Sequence, residues 1–373
     1  MIFVVLHGPG NKDESMPTLT RLFQLVSVIS LPCVLILSGC NSEADIVVTS
    51  DVVSADKIAE IRANIQKLHP DADSELQAKV LDTAVRAVED MVFIEGGKFM
   101  MGDFGMPCDA DPERPVWRET ENMCNASRWV DTSPAHPVEL DSYSLSKYET
   151  RVKDMDVYFL AHKEPLTGAD WREEQPDHEA FRPNLPAGTR TWDDAKNYCV
   201  WLGKVTGYAF DLPTEAQWEF AARNRGQNIY YATDNGFLES PRNTDPLAEV
   251  DGKETDTFPV DAMPPNPLGI YGLQDNAAEW VNDWYDPEYY TYSPEKNPMG
   301  PIEGVELELD SSTLQAYKLM RGNHTGEING NILIRRKAGI ETLKKYNSYG
   351  PRDSFRCSVQ SYIKLDAKGV SGN

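Results

Sequence analysis

The sequence predicts an α+β fold with little regular structure and long loops, preceded by a short helical segment. Three observations predict it. Two capped helical patterns lie between residues 54 and 90. Beyond them, short apolar runs alternate near period two, with further helical patterns after 191 and 213. Between the runs lie polar, Pro-containing stretches, 104–135, 165–190 and 286–316, that carry no period. At 373 residues, with 40% hydrophobic content and 8 Trp, 16 Tyr and 12 Phe, the chain can bury a sizeable core. A formal charge of −23 argues against nucleic acid, whose phosphates need Lys and Arg, and against a basic membrane-surface patch. It suits a solvated surface, cations or a basic protein partner.

The amino end reads as a targeting segment. Residues 22–38 form an apolar run after Arg21 that is short for a spanning helix. It ends in Leu37-Ser38-Gly39-Cys40, which resembles the lipobox of bacterial lipoproteins. That resemblance implies cleavage before Cys40, lipidation of its sulfur and, with Asn41 following, an outer-membrane anchor facing the periplasm. A plain signal anchor is the alternative. Lys12, Asp13 and Glu14 sit badly before such a signal, so Met16 is the better initiator, unless two starts make two forms. The expected division is a signal region 1–39, a tether 40–53, a helical pair 54–90, a main domain 91–363 and a tail 364–373.

The helical pair comes first. Ser54 caps a helix with Ile58, Ile61, Ile65 and Leu68 on one face, ahead of Pro70. Ser74 and Gln77 read as a capping box, with Leu76, Val80, Leu81, Val85 and Val88 as the second stripe. The pair is expected to pack on the main domain rather than to dock a partner. MVFIEGGKFMMGD, from Met91, alternates and turns on Gly96-Gly97, which reads as two strands paired with each other. Val138, Leu140, Tyr143 and Leu145 alternate in the next run. The insert 104–135 carries Cys108 and Cys124, which suggests that it is stapled. Thr191 caps a helix whose first turn holds Asp193 and Asp194 against the dipole, with Gly207 past its end and Trp192, Ala195, Cys199 and Leu202 facing inward. Thr214 and Gln217 form a capping box for the next helix. KLMRG (318–322) and SFRCSV (354–359) read as late strands.

Asn266 to Tyr285, NPLGIYGLQDNAAEWVNDWY, organises the rest. It sets a carboxylate, Glu279, among Trp280, Trp284 and Tyr285, and a charge inside a core needs a partner or a metal. With LPTEAQWEFAAR at 212–223 and the closing Arg321-Gly322 and Phe355-Arg356-Cys357, this run resembles the formylglycine-generating enzyme, or sulfatase-modifying factor, family, from about 91 to 363. The resemblance implies a fold like that of the C-type lectins.

Four cysteines remain after Cys33 and Cys40, and an even number in an exported chain points to two disulfides with three possible pairings, or else to four reduced thiols. The resemblance pairs Cys199 with Cys357, which leaves Cys108 with Cys124. It also assigns two copper-binding thiols after the Arg-Gly motif, but the corresponding positions are Glu327 and Ile332. Soft copper wants sulfur, so no copper and no formylglycine chemistry of the known form are expected. His324 lies three residues before Glu327; a metal there would need a third ligand such as His178, and two exposed loop residues are the plainer reading. Arg335, Arg336 and Lys337 read as a solvated basic spot. The resemblance implies calcium on carbonyls of Asp275 and Ala277 with the Glu279 carboxylate, although Gly272 stands where the family often has Asn. A looser second set is Asn243, Thr244 and Asp251. Against calcium, Glu279 reads as a buried, hydrogen-bonded acid.

These expectations favour a non-catalytic periplasmic lipoprotein that binds a protein partner through long loops displayed on a rigid core. One concrete form is an immunity protein against a toxin, such as a type VI secretion lipase effector. An enzyme with altered chemistry and a structural lipoprotein of an envelope or secretion complex are the alternatives.

Overall fold

The computed structural model describes residues 48–111, 113–189, 191–244, 249–250, 253–254, 257–310, 313–324, 331–339, 352–361 and 365. Cys40, Met16, Asp251, Glu327 and the tail from 366 lie outside the described residues. Among those described, no helix is long and apolar enough to cross a membrane.

The helical pair forms as α1 (Ala55–Leu68) and α2 (Ser74–Glu89). The Ser54 side chain accepts from the Lys57 amide, and Ile58, Ile61 and Ile65 are buried. Leu68, the last residue of the helix, is instead exposed. The cap of α2 is Asp73, not Ser74: its Oδ1 accepts from the Leu76 amide at 2.8 Å, and the Gln77 side chain donates to the Ala72 carbonyl. An Asp one residue earlier outcompetes the Ser-Gln box. Both helices share one apolar core with α3 (Val152–His162) and α5 (Trp192–Thr206). The pair is therefore packed on the main domain.

The run from Met91 is not a hairpin. Met91–Ile94 pairs with Tyr143–Ser146, and Gly97–Met101 pairs with His136–Leu140. Gly96 is a point of close approach rather than a turn, since a Cβ there would lie 2.2 Å from the Leu140 carbonyl oxygen. The first four-stranded sheet continues through Ser358–Val359 to Phe210–Asp211. The second runs Arg335–Gly339, Tyr317–Arg321, Ala278–Trp284, Asp353–Phe355, with the last pair parallel. A second core, centred on Trp218, Phe220, Tyr143 and Val281, fills the space beside α6 (Glu215–Ala222).

Local signals in this part match the chain. Thr191 caps α5, and Thr214 with Gln217 closes a capping box on α6. Cys199 of α5 is bonded to Cys357 beside the closing strand, with Cα atoms 5.6 Å apart. Cys108 is bonded to Cys124 across the short pair Met106–Pro107 and Met123–Cys124, Cα atoms 5.0 Å apart. The loop 165–190 is less loose than expected. It contains α4 (Ala169–Glu174), held by paired Arg172–Asp156 bonds of 2.9 Å and by Trp171 against His178 and Phe181. The stretch 286–316 likewise holds a 3-10 turn at Tyr289–Thr291 and the strand Leu307–Asp310.

Candidate functional site

Strand Ala278–Trp284 is interior in its sheet, so its side chains alternate between two covered faces. Glu279 is completely buried. Its Oε2 accepts from Trp218 Nε1 at 2.9 Å and from Arg356 Nε at 2.7 Å, and its Oε1 accepts from Arg356 Nη2 at 2.5 Å. Arg356 also donates to the carbonyls of Tyr271 and Ser146, at 2.8 and 3.1 Å. A second buried carboxylate, Glu149, lies alongside. Its Oε1 accepts from Asn276 Nδ2 at 3.0 Å, while its Oε2 is 3.9 Å from Arg356 Nη2 and has no hydrogen-bond partner. Burial, offset in part by Arg356 and reinforced by repulsion from Glu279, pushes Glu149 up to about 8. Gly272, at φ +68°, makes room for it: a Cβ there would lie 2.4 Å from Glu149 Oε1.

The same face of the sheet carries a larger ion network, because Arg321 pairs directly with Glu279 and Arg335 with Arg321. Arg321 donates to Glu215 and Glu219 at 3.0 Å each, and to the Ile332 carbonyl at 2.7 Å. Arg335 donates through Nε to Glu215 at 2.8 Å and through Nη1 to the Asp131 carbonyl at 2.8 Å. Arg223 donates to Glu219 at 2.9 Å, and the Tyr290 hydroxyl to Glu215 at 2.9 Å. Burial pushes Glu215 up, but Arg335 and Arg321 outweigh it and hold the carboxyl below its ordinary value. Asp283 is raised to about 7 by burial and by repulsion from Glu215, which the Glu215 amide at 2.8 Å, Arg335 and Lys318 offset only in part. Lys318 lies between Trp192 and Trp284, 3.8 and 4.0 Å from their ring centroids, and burial lowers it to about 8.

The sequence-predicted residues fall as follows. The Glu279 carboxylate is fully engaged by Arg356 and Trp218, and the Thr244 hydroxyl donates to Asp275 Oδ2 at 2.6 Å. The Glu279 carboxylate thus has the Arg356 guanidinium as its positive partner, and calcium on Asp275, Ala277 and Glu279 stays an expectation of the family likeness. Asn243 accepts from the Glu239 amide at 2.8 Å and donates to the Phe237 carbonyl at 3.0 Å. His324 Nε2 lies 3.0 Å from Asp353 Oδ1, whereas the His178 ring packs on Trp171. Among the described residues no group of three His, Cys, Asp or Glu could hold a metal. Ile332 is buried in the second core. The basic spot is corrected in part: strand alternation turns Arg335 inward to Glu215, and Arg336 donates to the Gly322 carbonyl at 2.9 Å, while Lys337 is exposed. Glu149, Glu215 and Glu219 went unnoticed. The two acids of LPTEAQWEFAAR, four apart among apolar neighbours, were the signal for Glu215 and Glu219.

Comparison with known proteins agrees with this architecture. The sequence model of the Sulfatase-modifying factor enzyme 1-like domain matches residues 77–357. Over 247 residues, 59% of this chain and 77% of the relative, the chain is 30% identical to a formylglycine-generating enzyme of Streptomyces coelicolor. A Mus musculus protein named inactive C-alpha-formylglycine-generating enzyme 2 is 35% identical over 225 residues, 53% of this chain and 70% of its own length. The match to the Bos taurus formylglycine-generating enzyme spans only 42% of that protein. The fold is shared with PvdO of Pseudomonas aeruginosa at a TM-score of 0.54 and 24% identity, over 73% of this chain and 94% of that one. A match over most of the chain, with all of the second sheet and three of the four strands of the first inside it, makes this protein a member of the sulfatase-modifying factor enzyme 1-like domain family.

Proposed function

We propose that this chain is a non-catalytic periplasmic lipoprotein, anchored to the outer membrane through Cys40, that binds a protein partner through the loops of its family domain. An immunity protein that neutralises a secreted lipase effector is the concrete form of this reading. The observation that carries it is the state of the cysteines. Of the 6 in the sequence, all four after Cys40 are joined in disulfides, which leaves no thiolate pair to hold copper. Ile332, at a position the family likeness gives to a thiol, packs in the core instead. The loops meanwhile present single apolar side chains to solvent: Val130 is 88% exposed and Ile302 97%. Such residues can serve as anchors at an interface.

Purified protein with copper is expected to convert no cysteine in a sulfatase-type peptide, followed by mass spectrometry. Val130→Asp and Ile302→Asp are expected to weaken capture of the same envelope partner at unchanged melting temperature. Copper-dependent conversion above the no-protein control would overturn the reading, as would capture indifferent to both changes. Cys40→Ala is expected to abolish palmitate labelling; persistent labelling would place the anchor elsewhere.

One observation favours a second reading, an enzyme with altered chemistry. The His324–Asp353 pair is half-buried beside the Arg-Gly motif and could move a proton. The copper-free arm of the same peptide assay tests it.

A further inference from the structure

A cavity of about 290 Å³ lies beside Asn282, where the pairing of strand Ala278–Trp284 is irregular between Trp280 and Trp284. It is bounded by the Leu140–Ser142 turn, the start of α6, Gln360 and the loop from Asn297 to Met299. This volume is at the small end for ligand pockets and suits one long side chain rather than a cofactor.

The lining restricts the guest. No Lys, Arg or His lines the cavity and two carboxylates do, so its charge disfavours an anion. No aromatic ring lines it either, so a flat ring has nothing to stack on. What remains is an aliphatic wall, with Leu140, Leu212 and Met299, and a polar side with two carboxylates, Asp141 and Asp211.

The polar side is held in place before any guest arrives. Gln217 and Gln360 exchange amide bonds of 2.8 and 3.0 Å, and Gln217 Oε1 also accepts from the Thr214 amide at 3.0 Å. Asn297 clamps Asp141, accepting from its amide at 2.8 Å and donating to its Oδ2 at 2.6 Å. Asp211 accepts through Oδ1 from Lys196 and from the Leu212 amide. The remaining Asp141 oxygen meets only the loose, exposed Lys296 at 3.6 Å, a contact that a better-placed cation can replace.

We propose that this cavity receives an aliphatic cation, the side chain of a lysine on a protein partner. The alkyl stem would lie on the leucine and methionine wall while the ammonium reaches the Asp141 side, the arrangement long cationic side chains adopt at half-apolar surfaces. Met299, 65% exposed, is an adaptable residue at the mouth. The net charge of −23 raises the local concentration of cations around the cavity. The assignment to a partner's lysine rests on the partner-binding reading above, but not on the anchor or on the identity of the partner.

The test is a titration followed by amide NMR shifts, using Nα-acetyl-lysine methylamide, its Nε-acetylated neutral form, and 1,5-diaminopentane. The lysine probe is expected to shift residues around Asn282 and Gln360 and to bind about ten-fold more tightly than the neutral form. Met299→Trp should fill the cavity and weaken the lysine probe by at least about ten-fold. Asp141→Asn should weaken it several-fold; with Met299 exposed and Asp141 at the rim, both proteins should fold, which their melting temperatures check. Equal binding of the charged and neutral probes, no shift up to about 10 mM, or indifference to Met299→Trp each overturns the proposal. Binding by diaminopentane alone would overturn the assignment to a protein side chain.

Discussion

Replacing Arg356 with Met is expected to lower the stability of this protein by about 3–5 kcal/mol, measured by denaturant unfolding. The guanidinium is fully buried and neutralises Glu279 through bonds of 2.7 and 2.5 Å. Methionine fills much of the same volume, so packing changes little. What it leaves is a buried carboxylate with only Trp218 Nε1 as a donor, and Glu149 beside it without the nearby positive charge. Such an uncompensated charge is the costly case; removing both partners is not. The double variant Arg356→Met with Glu279→Gln should therefore be more stable than Arg356→Met alone. Additive losses, or a single-variant loss under about 1 kcal/mol, would show that the pair contributes little.

Whether a pairing is local or long-range explains what could be read from the chain. Thr191, Thr214 and Gln217 cap their helices because the rule needs only residues three apart. The Cys199–Cys357 bond was legible through family likeness, not through spacing. The ion networks were not legible. Arg335 reads as part of an exposed basic run until Glu215, 120 positions earlier, is known to face it. The strands from Met91 and Gly97 each look able to pair with the other, and only tertiary partners at 143–146 and 136–140 decide otherwise. Asp73 is within local reach, but the Ser-Gln pattern one residue on masks it as the cap. By sequence alone, Gly272 reads as a missing ligand. Its meaning was steric: its bare Cα admits Glu149 from an element more than a hundred residues away.

Glu149→Gln is expected to change how stability depends on pH. In the folded protein the Glu149 carboxyl is raised from 4.5 to about 8, first by burial, with Arg356 only partly offsetting and Glu279 adding repulsion. In the unfolded chain it ionises near its ordinary value. Between those limits the native state holds a proton that the unfolded state has lost, so the Glu149 contribution to stability falls as pH rises, by about 1.4 kcal/mol per pH unit. It levels off above about 8, where both states are ionised. Glutamine cannot ionise and keeps the carbonyl that accepts from Asn276. The stability of the variant relative to the native protein should therefore rise steadily between about pH 5 and 8, whatever its absolute offset. The difference between the two proteins is the quantity to follow, because Asp283, itself raised to about 7, tilts both curves in the same direction. Unfolding in urea at half-unit pH steps provides it. Parallel curves across the window would mean that Glu149 is ionised in the folded protein at neutral pH, and that the Oε2 left without a hydrogen bond is stabilised by Arg356 at 3.9 Å after all.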